Sequence, residues 1–167
     1  MQTDKIYLVG FMGAGKSSVA AALGARLNWQ VKDLDERIED HEGRSIFQIF
    51  DQDGEKFFRQ LERTALMALR AQRNTVVATG GGTFVDPFNR STINRDGTSV
   101  WLDVSFETAV ARIPADGSRP LAADRTAMRI LLADRRAAYG LAHYRIDADT
   151  LNVDELAERL IERLPRK

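Results

Sequence analysis

The sequence predicts an α/β fold built on a five-stranded parallel sheet flanked by helices. Three observations carry this. Short apolar runs alternate with longer amphipathic segments along the chain, the pattern of strand–helix–strand units. The first apolar run, Ile6-Tyr7-Leu8-Val9, leads into Gly10-Phe11-Met12-Gly13-Ala14-Gly15-Lys16-Ser17 and then a helical pattern. That run matches G-x-x-x-x-G-K-[ST] in the strand–loop–helix context a phosphate-binding loop requires. Finally, 167 residues with 44% hydrophobic and 29% charged content suit one soluble domain with a sizeable core.

The elements follow in order. Ile6–Val9 is the first strand, and Lys16–Leu27 is a helix with Val19, Ala20, Leu23 and Leu27 on one side. Gln30–Lys32 is the second strand, and Asp35 can cap a helix over Glu36–Asp40. Ser45-Ile46-Phe47-Gln48 reads as a capping box opening a short helix. A longer helix over Glu55–Gln72 carries Phe58, Leu61, Ala65 and Leu69 on a stripe. Thr75–Ala78 and Ser99–Leu102 are strands, with no helix assigned between them. Ser105 caps a helix with Glu107 in its first turn, a favourable place for negative charge. Residues 113–124 lack periodicity and hold Arg119 and two of the four prolines; such a loop reads as a lid or as a plain surface connection. Arg125–His143 is helical with a break near Gly140, Tyr144–Ile146 is the fifth strand, and Asn152-Val153-Asp154-Glu155 opens a last helix. There are no repeats or low-complexity tracts.

Composition removes several function classes. Twenty-four basic residues balance 24 acidic ones, so no basic field favours nucleic acid or anionic membrane. Cysteine is absent, which excludes disulfides, thiol nucleophiles and cysteine-bound zinc. Residues 1–5 lack an apolar signal region and no stretch reaches membrane-spanning length. The expected location is the cytoplasm.

The glycine loop carries the clearest chemistry. Without Cβ atoms in the way, successive N–H groups converge on phosphate oxygens, and the following helix aims its positive end at the same anion. Lys16 can reach the β- and γ-phosphates, and the Ser17 hydroxyl can ligate Mg²⁺. Asp33-Leu34-Asp35 follows the second strand, and strand carboxyl ends are where ligands collect in such sheets. Its two carboxylates can divide labour, one toward a metal and one toward a substrate hydroxyl; capping by Asp35 is the structural alternative. Arg59 neighbours the apolar stripe, with Glu62 placed to orient it; by spacing alone it reads as a Glu55–Arg59 surface pair. Gly80-Gly81-Gly82 follows a buried strand and permits close approach of a ligand, or else marks a turn. Arg119, Arg135 and Arg136 are candidate cations for transferring phosphate or substrate anions. His41 and His143 read as surface or packing residues, and Trp29 and Trp101 as core. A guanine-reading N/T-K-x-D motif is absent, which argues against a Ras-like GTPase. A compact small-molecule kinase and a nucleotide-binding module without transfer activity remain.

Taken in order, these motifs resemble shikimate kinases over nearly the whole chain: the glycine loop, Asp33-x-Asp35, Gly43-Arg44-Ser45-Ile46, Gly54-Glu55-x-x-Phe58-Arg59-x-x-Glu62, Ala78-Thr79-Gly80-Gly81-Gly82, Arg119-Pro120-Leu121 and Arg135-x-x-x-Tyr139. The resemblance implies a P-loop kinase of the nucleoside monophosphate kinase type, spanning 1–167 as one domain. It implies a substrate-binding insertion near 33–62 and a lid near 113–124. The implied reaction is ATP-dependent phosphorylation of the shikimate 3-hydroxyl, with Mg²⁺ as cofactor. Lys16, Asp35 and Arg119 are the implied catalytic residues. Gly13, Ala14, Gly15, Lys16, Ser17, Ser18, Arg112 and Arg119 would bind ATP, with Arg112 packing on adenine. Asp35, Arg59, Gly80, Gly81, Gly82 and Arg135 would bind shikimate. Ser17 and, through water, Asp33 would hold the metal. The implied partners are ATP and shikimate alone, with a monomeric chain. Two positions depart from the family pattern: the family often has Arg-x-Pro-x-Tyr where this chain has Arg135-Arg136-Ala137-Ala138-Tyr139, and Ala122 stands where leucine is common. A gluconate or nucleoside monophosphate kinase is the nearest rival.

Overall fold

Lys5–Val9 (β1) is buried at every position, as a central parallel strand covered on both faces must be. The computed structural model describes residues 4–113 and 124–164. After β1 come Lys16–Leu27 (α1), Gln30–Asp33 (β2), Leu34–Glu42 (α2), Ile46–Ala68 (α3), Thr75–Ala78 (β3), Pro87–Asp96 (α4), Thr98–Asp103 (β4), Phe106–Arg112 (α5), Arg125–Tyr139 (α6), Tyr144–Asp147 (β5) and Val153–Arg163 (α7). The sheet order is β2-β3-β1-β4-β5 and every pairing is parallel. The three inner strands are nearly all buried, whereas the edge strands β2 and β5 are half exposed. All five strand expectations stand, each within two residues.

The core holds Ile6, Leu8, Val76, Val77, Val100 and Leu102 from the sheet, with Val19, Leu23, Leu66, Ile93 and Leu156 from the helices. A second cluster of Ile38, Ile46, Ile49 and Phe58 joins α2 to α3. Trp101 is buried and Trp29 packs partly buried against the core, as expected. His143 Nδ1 accepts from the Ser99 backbone N–H at 3.1 Å, a packing role. Among the described residues, no helix is long and apolar enough to cross a membrane.

Several boundaries differ from expectation. The capping box of Ser45 and Gln48 is present, but the short helix it opens runs straight into the next one. The two are joined in α3 across Gly54, whose φ of 81° and ψ of 171° break the helical geometry. The helix ends at Ala68 rather than Gln72. The α4 helix is an addition to the sequence expectation: it is polar nearly all round, with only Asn89 and Ile93 buried, and its local signals are the Asp86 cap and Pro87 at its first turn. Asp33, not Asp35, caps α2, accepting from the backbone N–H groups of Asp35 and Glu36. The lid expected at 113–124 falls outside the described residues over 114–123.

Candidate functional site

The loop after β1 prepares a site for anions. Gly15 takes the N-cap position of α1 at φ 88°, with no side chain closing the helix end. The first N–H groups of α1 therefore face the cavity, where the helix dipole favours negative charge. Gly13, at φ 77°, tolerates no side chain: a Cβ there would lie 2.4 Å from the Ala109 carbonyl oxygen of α5. Lys16 is buried and its Nζ donates to the carbonyls of Gly10 and Phe11 at 2.9 and 2.8 Å. The loop thereby stores the ammonium against its own backbone, within reach of any phosphate the loop holds.

Asp33 ends β2 beside this loop. Its Oδ2 accepts from the Ser17 hydroxyl at 2.5 Å, while Oδ1 caps α2. This pair of hard oxygen donors suits a divalent cation such as Mg²⁺, which takes few protein ligands and completes its shell with water and phosphate. Among the described residues no group of three or more histidine, cysteine or acidic side chains is placed to hold a metal ion by itself.

A cavity of about 460 Å³ spreads from the loop over Asp33, Asp35, Thr79, Gly80 and Gly81 to Arg112 and the Leu151–Val153 turn. Gly13, Ala14, Gly15, Lys16, Ser17 and Ser18 all line it. Arg112 donates to the Ala148 carbonyl at 3.2 Å, which fixes it at the rim. Leu151, Asn152, Val153 and Leu156, beyond the residues the motifs point to, wall this end of the cavity. Their only advance signal was the capping box that places the start of α7.

A second hollow adjoins the first. Met12, Asp35, Gly80 and Gly81 line both, and Arg59, Glu62, Gly82 and Arg135 line the second alone. Asp35 thus stands on the border. Gly80 makes this meeting possible: a Cβ there would lie 2.9 Å from Asp35 Oδ1, 3.0 Å from Glu62 Oε1 and 3.1 Å from Thr83 Oγ1. The Arg59 guanidinium donates to Glu55 at 3.1 Å and to both Glu62 oxygens at 3.1 and 3.2 Å. The Glu55 pair is therefore real, yet the same guanidinium also packs on Gly82 and faces the hollow. Glu62 is fully buried. Burial pushes its carboxyl above the ordinary carboxylate range, against the pull of Arg59 and of the Thr83 hydroxyl.

Arg135 and Arg136 part company on α6. Arg135 is 7% exposed and lies against Gly81. Its positive charge lies beside the Tyr139 hydroxyl, which donates to the Gly81 carbonyl at 2.6 Å; burial pushes that phenol up to about 12. Among the described residues Arg135 has no ion-pair partner. Arg136 instead pairs with Asp103 at 3.0 Å and covers the Trp101 ring. A buried guanidinium without a carboxylate is costly unless an anion completes it. Of the expected site residues, Arg119 lies outside the described residues; all the others line one or both hollows. The arrangement can hold a polyphosphate at one end, a carboxylate at the other, and a hydroxyl beside Asp35 between them.

The sequence model of the shikimate kinase family matches residues 12–165. A shikimate kinase of a Sulfurihydrogenibium species is 40% identical over 97% of this chain and 98% of its own length. One from a Synechococcus species is 42% identical over 99% of this chain and 86% of its own. Among solved structures, the shikimate kinase from Acinetobacter baumannii in complex with shikimate superposes with a TM-score of 0.92 at 34% identity, covering 96% of this chain and 92% of that one. A deoxyadenosine kinase from M. mycoides, at 20% identity and a TM-score of 0.64, shares the fold.

Proposed function

The chain belongs to the shikimate kinase family and phosphorylates shikimate with ATP in aromatic amino acid biosynthesis, and we propose that the two adjoining hollows perform this transfer with the acceptor at the 3-hydroxyl. The observation that carries the assignment of residues is Arg135, a buried guanidinium without a carboxylate among the described residues, beside Arg59 in the hollow that Asp35 separates from the phosphate loop.

Each side chain then has a task. Arg59 and Arg135 grip the ring carboxylate, with Glu62 and Tyr139 aiming them. Gly80, Gly81 and Gly82 let the ring approach the backbone. Asp35 accepts a hydrogen bond from the hydroxyl and turns its oxygen toward the γ-phosphorus. Because phosphoryl transfer passes through a loose transition state, early removal of the proton gives little acceleration; Asp35 acts mainly by orientation and takes the proton late. Gly13, Ala14, Gly15, Ser17 and Ser18 cradle the phosphates through the loop and the start of α1. Lys16 leaves the Gly10 and Phe11 carbonyls for the β- and γ-phosphate oxygens, where its charge offsets the charge building up in transfer. Arg119 supplies a second cation to the same oxygens, and Arg112 with the Leu151–Val153 turn flanks the adenine. The family's use of ATP implies a divalent metal; we assign it as Mg²⁺, which Ser17 and, through water, Asp33 would hold, and which would offset phosphate charge when bound. Transfer is direct and in line, without a phosphoenzyme. Residues 33–62 act as the substrate-binding part and 113–124 as the lid of a single domain, which works as a cytoplasmic monomer.

A coupled ADP-release assay with shikimate, gluconate and nucleoside monophosphates tests this reading. Turnover with shikimate alone is expected, and ³¹P NMR of the product should show a phosphomonoester at carbon 3. Turnover with one of the others in its place, or with none, refutes it.

A further inference from the structure

The loop that follows β3 does more than clear space for a ring. Thr83 is fully buried, and its Oγ1 donates to Glu62 Oε1 at 2.5 Å. The same carboxylate receives the Arg59 guanidinium on both oxygens. A turn from Gly80 O to the Thr83 N–H, 3.2 Å long, sets the hydroxyl in place. The bare Gly80 lets Asp35, Glu62 and Thr83 converge on one point. Glu62 therefore sits between a cation it must orient and a second carboxylate that repels it. We propose that Thr83 is a positioning residue for shikimate: its hydroxyl clamps Glu62 so that Glu62 holds Arg59 in the geometry that receives the substrate carboxylate. This rests on the assignment of Arg59 to that carboxylate.

The physical case is one of satisfaction. A buried carboxylate needs several donors, and one left short of them protonates or swings. Arg59 donates to both Glu62 oxygens, and the Thr83 hydroxyl is the neutral donor to Oε1. Among the described residues, the charged groups facing Glu62 are Arg59 from α3, Asp35 from α2 and, lining the same hollow, Arg135 from α6. Burial already raises the Glu62 carboxyl, Arg59 and Thr83 lower it, and Asp35 raises it. Removing the hydroxyl thus removes a force that keeps Glu62 ionised. A neutral Glu62 has no reason to hold the guanidinium in place, so substrate affinity should fail first at the acidic end of the pH range.

The test compares wild type, Thr83→Val, Thr83→Ala, Thr83→Ser and Arg59→Ala by steady-state kinetics against shikimate and ATP between pH 5.5 and 9, with thermal unfolding in parallel. Valine keeps the shape of threonine and alanine avoids any overpacking, so at least one hydroxyl-free variant should fold. Both are expected to raise the KM for shikimate about three- to tenfold, with kcat and the KM for ATP near wild type. The acidic limb of kcat/KM for shikimate should move up by about half a pH unit to one. Serine should restore both. Unchanged shikimate KM and acidic limb in Val and Ala overturn the proposal, as does an equal loss in the ATP constants, which marks a merely structural role. Arg59→Ala keeps the two levels apart: a large rise in its shikimate KM beside an inert Thr83→Val removes only the Thr83 inference, while an inert Arg59→Ala removes the underlying assignment too.

Discussion

Arg135 and Arg136 differ by one position in the chain and by their whole environment in the fold. One is buried against Gly81 and Tyr139, and the other lies over Trp101 beside Asp103. A charged hydrogen-bond pair contributes about 1.5–3 kcal/mol, so Arg135→Ala should raise the KM for shikimate by about 10- to 100-fold and leave that for ATP in place. Arg136→Ala loses a half-exposed pair and should change the same constant by less than about fivefold. Steady-state kinetics on both variants checks the contrast, and reversal would assign the carboxylate to Arg136. Lys16→Ala should abolish turnover while circular dichroism and the melting temperature stay near wild type, because the Lys16 ammonium bonds the loop's own backbone carbonyls and lines the cavity rather than filling the apolar core. The glycine loop was legible in the sequence because phosphate chemistry demands fixed residue types at fixed spacing. Asp33 and Asp35 were harder to part: either carboxylate can cap the helix that follows, and only the strand end, one residue later than expected, shows that Asp33 does so.

At the scale of elements, α3 is two helices in one. Its first part carries Ile46, Ile49 and Phe50 toward α2, and its second carries Arg59 and Glu62 toward the site. Gly54 joins them in a backbone region that side chains avoid, with open space around it. Gly54→Ala should therefore cost about 1–3 kcal/mol through backbone strain alone, seen as a lower denaturation midpoint, and should raise the KM for shikimate as Arg59 shifts. An alanine variant as stable as wild type would mean that the joint relaxes into a continuous helix. The capping box at Ser45 and the stripe from Phe58 to Leu69 were readable because capping and 3.6-residue periodicity are local properties. The α4 helix was not, since a helix with two inward-facing positions, one of them asparagine, presents almost no periodic signal. The α6 helix stops at Tyr139, where the side chain reaches Gly81, and Gly140 closes its end.

Across the whole molecule, the two ends of the sheet do different work. The carboxyl ends of β1, β2 and β3 deliver the glycine loop, Asp33 and the triple glycine to one crevice. That convergence depends on the strand order β2-β3-β1-β4-β5, a non-local property that no local pattern encodes. The amino end is a structural lock: Lys5, fully buried, pairs with Asp96 at 2.6 Å, and the Tyr7 hydroxyl donates to the same carboxylate. Burial drives the Tyr7 phenol well above its ordinary range, so it stays a donor at any working pH. Asp96→Asn removes the charge that balances a buried ammonium, at a cost of about 3–5 kcal/mol. The melting temperature should fall by on the order of 10 °C with the shikimate and ATP constants unchanged below the transition; a kinetic defect at equal fold would show that the lock reaches the crevice. The central claim is that Arg59 and Arg135 hold the substrate's carboxylate across the border marked by Asp35. The most direct measurement is a cycle of wild type and Arg135→Ala against shikimate and its methyl ester, read as kcat/KM from ADP release. Esterification should cost the wild type one to two orders of magnitude and the variant little more than it has already lost; losses that simply add would place the carboxylate elsewhere.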